Sequence, residues 1–250
     1  MITRVLAVGA LLTAGMFTAM GSAAAAPPPA DVHAARAAAA APATVEALTD
    51  FFGDLRARDG APAARATAVT VGHTVLPVYT LSPEFVSGAA GADPGKLAYL
   101  AVPAAANDGR TATLQVTREG DGAWTVGNMA SGDLEFQLAG KLPAGAVLLR
   151  EPQVNAWYAR QGDRLTVIDP GGTDRTAGEV LTVADYQKAV GQRYADKQAG
   201  SGYAARGQAG GYGLGQRPIG DDNGVVPLLC LGGLGLIGVA AFGIRRSRRG

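Results

Sequence analysis

The sequence predicts an α+β domain, an antiparallel β-sheet of six to eight strands with helices packed on one face, plus one C-terminal transmembrane helix. Three observations lead there. Several runs alternate apolar and polar residues and are joined by turns containing Asp and Gly, which is the pattern of strands buried on one side. Stretches with apolar residues at helical spacing bracket those runs. Near the C-terminus, Val225 to Ile244 is an uncharged stretch of 20 residues, about the length a helix needs to cross the hydrocarbon core.

Taken in order, Met1-Ile2-Thr3-Arg4 is a short cationic start, and Val5 to Met20 is apolar and uncharged. Small residues follow up to Ala26. This three-part layout predicts a signal peptide over 1–25, cut after Ala25. Residues 26–43 hold three consecutive prolines and then mostly alanine, which reads as a linker, with helix propensity in Ala37 to Ala41. Thr44 suits a helix cap, and Val45, Leu48, Phe52 and Leu55 share one face, so a helix is expected over 44–58.

Strands dominate the next hundred residues. Val69–Val71 and Val75–Tyr79 are weak strands, and Pro77 argues for an edge position. Leu97–Val102 is another short strand. Ala112, Leu114 and Val116 alternate with Thr113, Gln115 and Thr117. Glu119-Gly120-Asp121-Gly122 then turns the chain toward Trp124 and Val126, giving a hairpin. Leu134, Phe136 and Leu138 alternate with charged and polar neighbours and read as a strand. Val154, Ala156 and Tyr158, the turn Gln161-Gly162-Asp163, and Leu165 and Val167 make a second hairpin. Thr182 opens a final helix, with Asp185 completing a capping box and Val183, Tyr186, Val190 and Tyr194 as its apolar stripe. The folded domain therefore spans 44–197. Residues 198–224 are glycine-rich and read as a tether averaging roughly 30 Å end to end. Residues 225–244 form the span and 245–250 a basic tail.

Charge and composition narrow the classes. Four lysines leave arginine as the other 18 of 22 basic residues, a bias of high-GC genomes. Setting aside Arg4 and the four tail arginines leaves 17 basic against 21 acidic residues, a net of −4. That balance carries no footprint for nucleic acid. The one cysteine, Cys230, lies in the span and cannot form an internal disulfide.

Catalytic motifs are absent by spacing. Of two histidines, His33 falls in the linker and His73 among strands, and no Gly-x-Ser-x-Gly elbow accompanies them. Zinc-ligand sets are missing. Acidic residues fall mostly at turns such as Asp108-Gly109 and Asp121-Gly122, where Asp and Gly suit tight loops. No catalytic residue, metal site or cofactor is therefore assigned. The candidate binding residues are Trp157 and Tyr158. Neighbours on a strand face opposite ways, so one is expected in the core and the other exposed beside Glu151, Asn155 and Arg160, against a protein or glycan.

The two ends set the topology. Arg245, Arg246, Arg248 and Arg249 follow the span at once, and positive charge stays on the cytoplasmic side. The expected localisation is the cell membrane, single-pass, with the body outside. The layout resembles exported, C-terminally anchored surface proteins of high-GC Gram-positive bacteria, and its end is similar to a sortase sorting tail. The Leu-Pro-x-Thr-Gly motif is replaced by Gly215-Gln216-Arg217-Pro218-Ile219-Gly220, so the resemblance does not extend to covalent wall attachment. The expected function is a membrane-tethered, non-enzymatic binding or scaffolding module. Its partners would be the lipid bilayer and an envelope protein or glycan. The alternative is an envelope hydrolase using a carboxylate pair.

Overall fold

The computed structural model describes residues 26–60 and 68–198. The signal, tether, span and tail, with Ala25, Arg245, Arg246, Arg248 and Arg249, lie outside the described residues. No helix among the described residues is long and apolar enough to cross a membrane.

Among the described residues nine strands form one sheet, one more than the largest number expected. They are β1 (Val69–Val71), β2 (Leu76–Leu81), β3 (Gly95–Ala106), β4 (Thr111–Arg118), β5 (Trp124–Ser131), β6 (Val147–Glu151), β7 (Ala156–Gln161), β8 (Arg164–Asp169) and β9 (Val180–Thr182). The order is β5-β4-β3-β2-β6-β7-β8-β9, with β1 also against β3. All pairs are antiparallel except β2 with β6. Both hairpin expectations hold. The β7–β8 turn needs Gly162, whose φ of 59° is the left-handed region.

Five α-helices are formed among the described residues: α1 (Pro29–Ala39), α2 (Pro42–Arg58), α3 (Pro83–Val86), α4 (Leu134–Ala139) and α5 (Val183–Tyr194). The first corrects the linker reading. Ala35 and Ala39, one helical turn apart, are fully buried, because alanine lets a helix backbone lie close to a sheet. A polyalanine stretch thus serves as a packing surface. The next helix starts at Pro42 rather than Thr44, with Pro at the first position where its missing N–H costs nothing. Thr44 instead donates its hydroxyl to the Ala38 carbonyl.

Strand alternation fixes two faces. On one, α1 and α2 cover Leu100, Val102, Leu114 and Val116, with Leu48 and Phe52 as the helix contribution. On the same face, α3 and α5 cover Tyr79, Leu149, Tyr158 and Leu165, and Leu97 touches both clusters. The opposite face carries α4, whose Leu138 packs with Val78, Tyr99, Leu148 and Trp157. Helices therefore sit on both faces, unevenly, and the one-face expectation is corrected.

Two further readings change. The run Leu134 to Leu138 is α4, not a strand. Glu135 and Leu138, three residues apart, are its buried pair, while Leu134 is 42% exposed, which is helical rather than alternating burial. Pro77 does not mark an edge, since β2 lies between β3 and β6. The β6 pairing begins only at Val78, so Pro77 stands at the strand start, where proline is tolerated.

Candidate functional site

The densest polar cluster forms where α5 lies on the sheet. Glu151 closes β6, and Tyr158 of β7 lies diagonally across on the same face. Helical spacing brings Tyr186, Val190, Arg193 and Tyr194 to one side of α5, above that carboxylate. The helix holds its position through Thr182, whose hydroxyl caps the N–H of Asp185 and donates to its carboxylate, as expected from the sequence.

Glu151 is fully buried. Its Oε2 accepts hydrogen bonds from the hydroxyls of Tyr158 and Tyr186, each at 2.9 Å. Its Oε1 accepts from Arg193 Nη2 at 2.8 Å and from the Tyr194 hydroxyl at 2.7 Å. The Tyr158 and Tyr186 ring centroids stand 4.9 Å apart. All three tyrosines have their pKa pushed well above the usual phenol value. Burial is the largest cause in each, and the negative charge of Glu151 adds to it. They stay protonated and serve as donors.

Four charge-assisted donors saturate the carboxylate. A general base needs a free lone pair aimed at its substrate, and a nucleophile needs an open approach. Glu151 has neither. Its arrangement clamps α5 to the end of β6.

A second buried carboxylate lies on the opposite face. Glu135 of α4 accepts from the Tyr99 hydroxyl at 2.9 Å and from Gln115 Nε2 at 3.4 Å. Burial first, then the charge of Glu135, drives the Tyr99 pKa up. On β7, Arg160 is nearly buried and grips both oxygens of Asp93, in the loop after α3, at 2.9 and 3.0 Å.

The sequence-derived candidates fare differently. Trp157 and Tyr158 do face opposite ways, but both are buried, at 1% and 0% exposure. The expectation of one exposed aromatic fails because α4 covers the second face at this point. Trp157 lies in the α4 cluster with the Arg150 guanidinium 5.1 Å from its ring centre. Tyr158 is spent on Glu151. His73 sits in the loop between β1 and β2, and its Nδ1 accepts from Arg36 Nη2 at 2.8 Å. This ties α1 to that loop. The turn carboxylates act locally, as expected: Asp121 accepts from the Ala123 N–H and Asp108 from the Arg110 N–H. The latter bond is the main cause that lowers the Asp108 pKa.

Glu151 was missed as a site residue because its helix partners are 35 to 43 positions away. The readable trace was the pattern Tyr186, Val190, Tyr194 with Arg193 beside it.

An apolar groove of about 330 Å³ opens between α4 and the β1 end of the sheet, lined by Thr70, Pro103, Ala105, Thr111 and Phe136 among others. Among the described residues, no group of three or more His, Cys, Asp or Glu is placed to hold a metal ion.

No protein-family model, curated protein or solved structure matches this chain.

Proposed function

We propose that this chain is a membrane-tethered module of a bacterial cell envelope, whose body binds or scaffolds a partner outside the membrane without catalysis. The tether rests on the uncharged stretch Val225 to Ile244 and the arginines after it; the observation that supports a body without catalysis is the state of Glu151. The cluster richest in chemistry among the described residues devotes both carboxylate oxygens to holding a helix. Its partners are the bilayer, engaged through Val225 to Ile244, and an envelope protein or glycan.

The partner surface in this reading is the sheet face opposite α1 and α2. There Thr117 and Thr125 are half-buried beyond the reach of α4, while Gln115 and Thr111 border α4 through Glu135 and the groove beside Phe136. Uncharged side chains beside an apolar groove fit an interface core, from which charged residues are depleted.

The test is deletion of Val225 to Gly250. The shortened chain is expected in the medium, and the full chain in the membrane fraction. A shortened chain that stays with the membrane would overturn the tether.

A further inference from the structure

Among the described residues the sheet ends at β5, and none of the described strands pairs with its outer side. Natural edge strands are usually blunted by charge, proline, shortness or a β-bulge, and of these β5 has only the bulge. Trp124–Ser131 has eight residues and neither charge nor proline. Its one irregularity is a register shift against β4 between Gln115 and Val116, which leaves Gly127 as the extra residue.

The ladder shows which backbone groups face outward. At one end Glu119 N–H donates to Ala123, and at the other Gly132 N–H donates to Thr111. Antiparallel pairs alternate between bonded and non-bonded. Thr125, Asn128 and Ala130 therefore spend their groups on β4. Trp124, Val126, Met129 and Ser131 turn their N–H and C=O outward.

We infer that β5 pairs antiparallel with β5 of a second copy of this chain, about a two-fold axis at Gly127 and Asn128. In that register Trp124 meets Ser131 and Val126 meets Met129, so each outward residue meets an outward residue. Thr125 then meets Ala130 on the other face. The bulge breaks the period of two, and a shift by two residues either way mismatches it. A foreign strand of regular period cannot match all four outward residues, whereas a second copy brings the same bulge to the same place. No charged side chain opposes another within the strand. An isologous contact of this kind closes on itself as a dimer. The inference rests on the fold alone and is independent of the membrane reading.

The experiment uses the full chain in detergent with Cys230→Ser as background. Thr125→Cys and Ala130→Cys are made separately, mixed and oxidised mildly. The pairing places these two residues opposite each other in a non-bonded pair, with Cα atoms about 4.5 Å apart, within disulfide reach. A 125–130 cross-link is expected in the mixture. Neither variant alone should cross-link, since five residues of offset separate equivalent positions by about 17 Å. The unsubstituted chain should show twice the monomer mass, and the Val126 and Met129 amides should exchange more slowly as concentration rises. A monomer mass, a dimer without the 125–130 link, or a 125–125 link overturns the inference. So does protection of those amides only after envelope extract is added, which would assign the edge to another protein's strand.

Discussion

One face of the sheet carries two helical covers, and they are held in different ways. The α1–α2 half is dry: Ala35, Ala39, Leu48 and Phe52 are fully buried against apolar strand residues. Its charges lie at the rim, where Arg110 bridges Asp59 and Asp108. The α5 half is also apolar, but a buried carboxylate with four donors sits at its centre. Apolar packing is non-directional and tolerates repacking. A buried polar cluster is satisfied in one geometry and costly in every other. The first half gains stability from close approach, and the second gains a fixed helix position.

The largest expected effect breaks the second half. Glu151→Ala leaves two buried hydroxyls, one part-buried hydroxyl and a half-buried guanidinium without their acceptor. Leaving a buried donor without its acceptor costs about 1–3 kcal/mol. Chemical denaturation of the variant checks this, and a cost below about 1 kcal/mol would show that water replaces the carboxylate.

Alkali should act on the same half. The Tyr158, Tyr186 and Tyr194 pKa values are raised in the folded chain above the ordinary value of 10.0. A raised folded value means stability that is fully present below about pH 10. It is lost as pH climbs from there toward the folded values. Ultraviolet titration should therefore show these phenols ionising only as the chain unfolds. Ionisation near pH 10 with the fold intact would contradict the buried cluster.

The first half responds to volume instead. Ala39→Leu forces α1 off the sheet, and overpacking of this kind costs about 1–3 kcal/mol. Thermal unfolding measures it. An unchanged midpoint would mean that α1 is not pressed against β3 to β5.

The smallest effect belongs to the rim. Arg110→Ala should lower the thermal midpoint less than either Glu151→Ala or Ala39→Leu, and the difference from the unsubstituted chain should vanish in high salt, as exposed ion pairs do; a drop that persists in high salt would contradict a rim position.

This contrast also explains what the sequence disclosed. Periods of two and of 3.6 revealed both hairpins, α5 with its cap, and most of α2. Each is encoded by neighbours within about ten residues. Leu134 to Leu138 misled because five residues fit either period, and only the burial of Glu135 and Leu138 tells them apart. The α1 helix hid in alanine, whose small side chain signals no face until a sheet lies beneath it. Trp157 and Tyr158 were read correctly as alternating, but a helix over the second face is not visible in strand periodicity. Glu151 stayed hidden since its acceptor role is created by residues of α5, brought over it by the tertiary fold.

The claim at the centre is that Glu151 is a clamp on α5. Native-state hydrogen exchange on Glu151→Gln tests it most directly. The amide replacement keeps the shape but loses the charge and one acceptor oxygen. Exchange should accelerate in Val183–Tyr194 while the α1 and α2 amides keep their protection. Equal acceleration in both halves, or none in α5, would contradict the account.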